Sequence, residues 1–144
     1  MPAKQATSDF ISEVKSFMSD RDKVKRINDY VCSKIFYDAN AHNGLNEIFT
    51  SDDELGGACG AYADAFHFLC QLANIPCVTV QSETHGWNEV YIDGRWYVID
   101  VSANDIAPPN YNVVYLVDSH PGYSDKYPKH TAFAKELLVP GDAK

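Results

Sequence analysis

Long apolar runs are missing from these 144 residues. No stretch approaches the roughly 18 apolar residues that a membrane-spanning helix needs. The opening MPAKQATSDF also lacks the charged-then-apolar order of a secretory signal. A soluble chain is expected, whether whole or excised from a larger or secreted protein. Positive charge is in short supply: 12 Lys and Arg stand against 20 Asp and Glu, a net charge of −8. A phosphate-binding surface needs a basic run or an arginine-rich helix, so no nucleic acid partner is expected. The acidic balance serves solubility. The four cysteines, Cys32, Cys59, Cys70 and Cys77, form no Cys-x-x-Cys pair and have no His-rich spacing around them. That speaks against zinc, and no metal or cofactor is expected. They are too few for a disulfide scaffold at this length. Cys32, Cys70 and Cys77 are expected as buried free thiols, with a Cys70–Cys77 bridge as the alternative. Repeats and low-complexity segments are also lacking.

What is present suits a globular domain, with 45% hydrophobic and 12% aromatic residues. One domain over 1–144 is expected: an N-terminal helix to about residue 19, a core over 20–117, and an extension over 118–144. Phe10, Val14, Phe17 and Met18 predict a helix from about Ser8 to Ser19, capped at Ser8 or Asp9. Val24, Ile27, Val31 and Ile35 mark the inner stripe of a second helix, capped at about Asp20. Residues 38–57 are turn-rich and read as a long surface connection with at most one helical turn. CGAYADAFHFLCQLA, residues 59–73, is apolar around most of a helix circumference and reads as a central helix ended by Asn74 and Pro76. Strands follow in CVTVQS, in 84–102 and in YNVVYLV, with a short last helix near Thr131–Leu138. Helices first and a meander of strands after them give an α+β domain with an antiparallel sheet.

The stretch THGWNEVYIDGRWYVIDVS, residues 84–102, carries the first chemical signal. Asp93-Gly94 predicts a two-residue turn, so Ile92 pairs with Arg95 and the rest follows by counting outward. Tyr91 then faces Trp96, Glu89 faces Val98, Trp87 faces Asp100 and His85 faces Ser102. His85 and Asp100 become diagonal neighbours on one face. A carboxylate beside an imidazole fixes its tautomer and stabilises the imidazolium. The same two residues also fit a structural polar pair at the hairpin edge, or two ligands of a metal site whose third is unseen. Asn88 and Glu89 could brace either the hairpin or the site. His67 reads as a satisfied or partly exposed helix histidine. His42, His120 and His130 have no ligand spacing.

Cys59 supplies a third group. It opens the central helix, where the positive end of the helix dipole favours thiolate. Gly56, Gly57, Ala58, Gly60 and Ala61 surround it and leave room for a substrate backbone. A core filler such as Cys70 gains nothing from a glycine-rich helix start.

Together these motifs resemble the transglutaminase-like superfamily of cysteine enzymes: a Cys heading a helix, a His before Trp-Asn, and an Asp closing the next strand. Here those are Cys59, His85 before Gly86-Trp87-Asn88, and Asp100 in WYVIDVS. The likeness runs from about Asp20 to Val117. Gly60 and Val101-Ser102 depart from the commoner residues of that pattern, which bears on subsites and not on the three groups. The resemblance implies a papain-like core, with the Cys helix packed on an antiparallel sheet that turns His85 and Asp100 toward it. It implies acyl transfer through a thioester on a peptide or protein substrate, with Cys59, His85 and Asp100 catalytic. Hydrolysis is the expected outcome. Passage of the acyl group to an amine, or a catalytically silent peptide-binding module, are the alternatives. The oxyanion would be held first by the Cys59 N–H, with the Trp87 indole and the Tyr62 hydroxyl as candidates for the second donor. Gly57 and Gly60 are candidates for lining the substrate path.

Overall fold

The computed structural model describes residues 7–16, 19–81, 85–105 and 117–118. Helix α1 (Thr7–Lys15) packs Phe10, Ile11 and Val14 inward. It begins before Ser8 and Asp9, which lie within its first turn. Helix α2 (Asp20–Lys34) is capped by Ser19, whose Oγ accepts from the Asp22 N–H at 3.0 Å. The hydroxyl one residue upstream of Asp20 satisfies a helix N–H that would otherwise have no intrahelical acceptor. Phe10 stacks on Tyr30 at 3.8 Å between ring centroids, joining α1 to α2.

Ile35 leaves the α2 stripe and starts strand β1 (Ile35–Tyr37). The segment read as a surface connection is more ordered than its composition suggests. It holds α3 (Leu45–Thr50), with Ile48 fully buried, and β2 (Leu55–Gly57). β2 pairs in parallel with β1, Ile35 opposite Leu55 and Tyr37 opposite Gly57. One residue later α4 (Cys59–Leu72) begins. Asn74 stops it in a left-handed conformation, φ 61°, as expected for the residue after a helix. α4 is not buried all round. Phe68 and Leu72 on its C-terminal half are each 38% exposed and help line an open groove against α1 and α3.

The antiparallel sheet has the order β3 (Cys77–Gln81), β4 (Gly86–Ile92), β5 (Arg95–Ile99), β6 (Val117–Asp118). The β4–β5 register is as counted from the turn: Ile92 with Arg95, Tyr91 with Trp96, Glu89 with Val98. Asp93 and Gly94 have φ of 53° and 84°, the two positive values of a type I′ turn. Val90, Ile92 and Ile99 join the α4 core, whereas Trp87 and Val98 pack apart from it, with Val80 and Ala103. Pairing stops at Asn88–Ile99, because the chain turns at Asp100 into a short helix, α5 (Val101–Asp105). The expected pairs Trp87–Asp100 and His85–Ser102 are therefore not formed. Phe17 and Met18, most of the 111–117 strand and the helix near 131–138 lie outside the described residues. Among the described residues no helix is long and apolar enough to cross a membrane.

His67, on α4, is half-buried with Nδ1 2.9 Å from the Thr79 hydroxyl on β3. Burial lowers its pKa, and the smaller effect of Asp64 works the other way. The unfolded chain therefore binds the proton more readily than the folded one. The stability linked to this group is present above its ordinary value of 6.5 and is lost as pH falls through its lower folded value. Chemical denaturation at steps from pH 7.5 to 5 should show a decline in unfolding free energy that is shallower in His67→Gln. Identical slopes for the two proteins would remove the assignment.

Candidate active site

Cys59 is the first residue of α4 and is partly exposed, while the other three cysteines are buried; all four are free thiols. No side chain caps α4: Ala58 occupies the cap position, with its carbonyl accepting from the Ala61 and Tyr62 N–H groups. The positive end of the helix is therefore presented to the thiol and not to a capping oxygen. Burial raises the Cys70 thiol well above its ordinary pKa and raises Cys32 strongly as well, which keeps both protonated. Cys70 and Cys77 are both free, so the alternative of a bridge between them is not realised.

His85 and Asp100 meet. The imidazole Nε2 lies 2.5 Å from Asp100 Oδ2, with the carboxylate 1% and the imidazole 14% exposed. The other carboxylate oxygen accepts from the Ser102 hydroxyl at 2.8 Å and the Ala103 N–H at 3.2 Å. An isolated carboxylate at that depth would be costly, and these donors offset the loss of water. Asp100 thus also caps α5, whose first backbone bond runs from the Asn104 N–H to the Asp100 carbonyl. Trp87 stacks on the imidazole at 5.8 Å between centroids and 23° between planes. Nε2 is the ring nitrogen that Asp100 engages.

The sheet face that carries Trp87 and Val98 is not the face packed on α4, which corrects the expectation of a whole face turned to the Cys59 helix. His85 and Asp100 escape that geometry because each lies just beyond its strand, at the end of the sheet. Two ties show which end. Asn88 donates through Nδ2 to the Ala63 carbonyl, 3.1 Å away and one turn after Cys59. Further along, the Tyr91 N–H donates to the Pro76 carbonyl at 3.0 Å, in the segment whose Ile75 N–H donates to the Cys70 carbonyl at 2.9 Å. From Asn88 to Tyr91 the strand therefore follows α4 away from Cys59. In the other direction, the three residues back to His85 cover about 10 Å, and the four helical residues back to Cys59 about 6 Å. The imidazole and the thiol are at the same end of the α4–β4 contact. Asn88 Nδ2 also reaches the Val78 carbonyl at 3.3 Å and the Thr79 hydroxyl at 3.2 Å, so the residue links β4 to β3 as well as to α4.

The remaining site candidates separate. Tyr62 is fully buried, and its hydroxyl donates to Asp105 Oδ2 at 2.5 Å and lies 3.3 Å from the Ile35 carbonyl. It is committed to a protein acceptor and is a poor oxyanion donor. Gly57 does not open a path either. A Cβ there would stand 2.9 Å from both the Ala61 Cβ and the Ile35 Cγ2, so its missing side chain is used by packing. Gly60 is different, with nothing within 4 Å of a built Cβ. Among the described residues no group of three His, Cys, Asp or Glu comes together as a metal site. Sequence reasoning missed Ser102 and Asp105. Asp100 followed by Val-Ser-Ala-Asn-Asp is a helix-start signal that could have found α5 and with it both residues.

The chain is similar to several known proteins. The mouse kyphoscoliosis peptidase is 29% identical over 116 residues, covering 67% of this chain and 17% of that protein. The peptide-N(4)-(N-acetyl-beta-glucosaminyl)asparagine amidase of Drosophila melanogaster is 35% identical over 71 residues, 47% of this chain and 11% of that protein. The chain spans less than a fifth of either relative. In three dimensions it resembles a candidate cysteine protease from Cytophaga hutchinsonii, with a TM-score of 0.53 at 21% identity over 67% of this chain and 36% of that one. This likeness shows the fold, a papain-like α+β core. The family model described as the transglutaminase-like superfamily matches residues 8–101, from α1 to the first residue of α5. That span is more than half of the sequence, and the chain belongs to the transglutaminase-like superfamily.

Proposed function

We propose that this domain cleaves an amide bond in a peptide or peptide-like substrate through a Cys59 thioester. The carrying observation is the 2.5 Å His85–Asp100 bond just beyond the ends of β4 and β5, and the uncapped start of α4 at Cys59 supports the reading. Asp100 accepts Nε2–H and so leaves the lone pair on Nδ1, the nitrogen suited to take the thiol proton. The thiolate sulfur attacks the carbonyl carbon, and the C=O electron pair becomes the oxyanion, held by the Cys59 N–H at the helix start. As the C–N bond breaks, the imidazolium gives its proton to the departing amine, and a thioester remains. Water then attacks the thioester, His85 takes one of its protons, and the acid leaves as the thiol regains it. Trp87, stacked on the ring, holds the imidazole plane through both steps. The peptidase and amidase names of the two relatives support this reading.

The test is brief alkylation with iodoacetamide at neutral pH followed by peptide mapping. Cys59 should be labelled stoichiometrically before Cys32, Cys70 or Cys77 reacts appreciably, and loss of turnover should follow that labelling. Equal labelling of all four would remove the nucleophile assignment. Offering water and a primary amine to the acylated protein then decides the acceptor. Partition mainly to the amine would replace hydrolysis by transglutamination and leave the thioester in place.

A further inference from the structure

α5 is only five residues long, yet a carboxylate is engaged at each of its ends. At the start, Asp100 holds His85 through one oxygen and the first turn of α5 through the other. At the finish, Asp105 accepts the Tyr62 hydroxyl at 2.5 Å. Tyr62 lies in the first turn of α4, three residues after Cys59, and its hydroxyl also lies 3.3 Å from the carbonyl of Ile35. The rise from Val101 to Asp105 is about 6 Å, so the two carboxylates sit at opposite ends of a short, stiff segment. Its sides are held by α2: Asn104 Nδ2 donates to Asn28 Oδ1 at 3.0 Å, and the Cys32 thiol lies 3.9 Å from the Val101 carbonyl. A segment so short has little helix stability of its own, and its shape depends on these anchors.

We propose that the Tyr62–Asp105 bond is a positioning element for the active site: it ties the helix that carries Cys59 to α5, the segment that Asp100 caps, and through Asp100 to His85. α5 acts as the strut between them. Apart from this tie, α4 and the hairpin are joined by the Asn88–Ala63 bond, one turn along α4 from Cys59, and by core packing. The proposal rests on the Cys59–His85–Asp100 reading above. Neither Tyr62 nor Asp105 touches substrate in it. Burial and the adjacent Asp105 carboxylate raise the Tyr62 pKa strongly, so the phenol remains a donor at any working pH. A tie acting through geometry affects the chemical step and spares substrate capture, because proton transfer is the step most sensitive to sub-ångström alignment.

The experiment compares Tyr62→Phe, Asp105→Ala, their double variant and Asp105→Asn, with melting temperature recorded for each. Iodoacetamide labelling of Cys59 is measured beside kcat and KM. The expected result is that Tyr62→Phe and Asp105→Ala each lower kcat about tenfold, with KM changed less than twofold. The double variant should fall no further than the worse single one, since both remove the same bond. Asp105→Asn keeps an acceptor for the phenol and should retain kcat within about threefold. Multiplicative losses in the double variant, an Asp105→Asn as impaired as Asp105→Ala, or lowered melting temperatures with unchanged kcat would each overturn the tie. Tyr62→Phe removes only a hydroxyl and serves if the alanine variant fails to fold. If wild-type Cys59 neither labels selectively nor turns over substrate, the catalytic reading falls and the tie with it. If wild type is reactive and all variants match it, only the tie falls.

Discussion

Cys59→Ala should abolish turnover, and Asp100→Asn should lower kcat by about a thousand- to ten-thousand-fold. The two losses differ in kind. Without Cys59 no thioester forms. In Asp100→Asn the amide oxygen can still accept from the Ser102 hydroxyl and the Ala103 N–H, so α5 keeps a good cap. The amide nitrogen is then turned to His85 Nε2, where it donates. That forces the proton onto Nδ1, the nitrogen that must receive the thiol proton, and removes the charge that stabilises the imidazolium. The asparagine variant therefore tests chemistry in a preserved fold, which an alanine would not. Steady-state rates on an amide substrate, with circular dichroism as the folding control, check it. Residual turnover in Cys59→Ala, or an Asp100→Asn within tenfold of wild type, would show that another group carries the reaction.

The second large effect is on stability. Gly57→Ala should destabilise the domain by about 2–3 kcal/mol, the range of overpacking a dense core. Its new Cβ would meet two carbons at 2.9 Å, and one of them, the Ala61 Cβ, has no rotamer with which to move away. The strand or the first turn of α4 must shift instead, and either movement displaces Cys59. Gly60→Ala is the matched control. Nothing stands within 4 Å of its Cβ, and alanine is the better helix former, so stability should hold or rise by about 0.5 kcal/mol. If Gly60→Ala also leaves the fold intact but raises KM, the open space above it is where substrate lies. Urea denaturation of both variants measures the contrast, and equal stabilities would show that Gly57 is not space-limited.

The parts of this structure that were legible from sequence are those set by neighbours in the chain. Asp93-Gly94 can adopt two successive positive φ values at low cost, so one turn fixed a register that placed Ile92 opposite Arg95 and Glu89 opposite Val98, while the His85–Asp100 contact lies beyond the last pair, where the chain turns into α5. The apolar period of 59–73 located α4 and put Cys59 at its head. The β1–β2 pair was not legible, because three-residue strands carry no period and Leu55-Gly56-Gly57 looks like a turn. Its glycines reflect crowding: a Cβ on Gly56 would lie 3.1 Å from Ala41 and 3.2 Å from Asp38 and Phe36. Contacts of that kind come from residues distant in sequence. The partner of Tyr62 was hidden for a related reason: its acceptor, Asp105, comes from a helix 43 positions away.

Parallel pairing of β1 with β2 also governs the order in which the site assembles. β4 and β5 close over two residues, a microsecond event for an isolated hairpin. Joining Ile35 to Leu55 must instead close a loop of some twenty positions, and α3 has to fold within it. The acid–base half of the site, His85 and Asp100, is thus built from local encounters, and the backbone leading into Cys59 is locked by a slower, longer-range one. During refolding, amide protection at Ile92 and Arg95, the pair that flanks the turn, should precede protection at Gly57. A refolding chain would bring its imidazole and carboxylate together before the backbone leading into Cys59 is locked, so the proposed nucleophile would be positioned last.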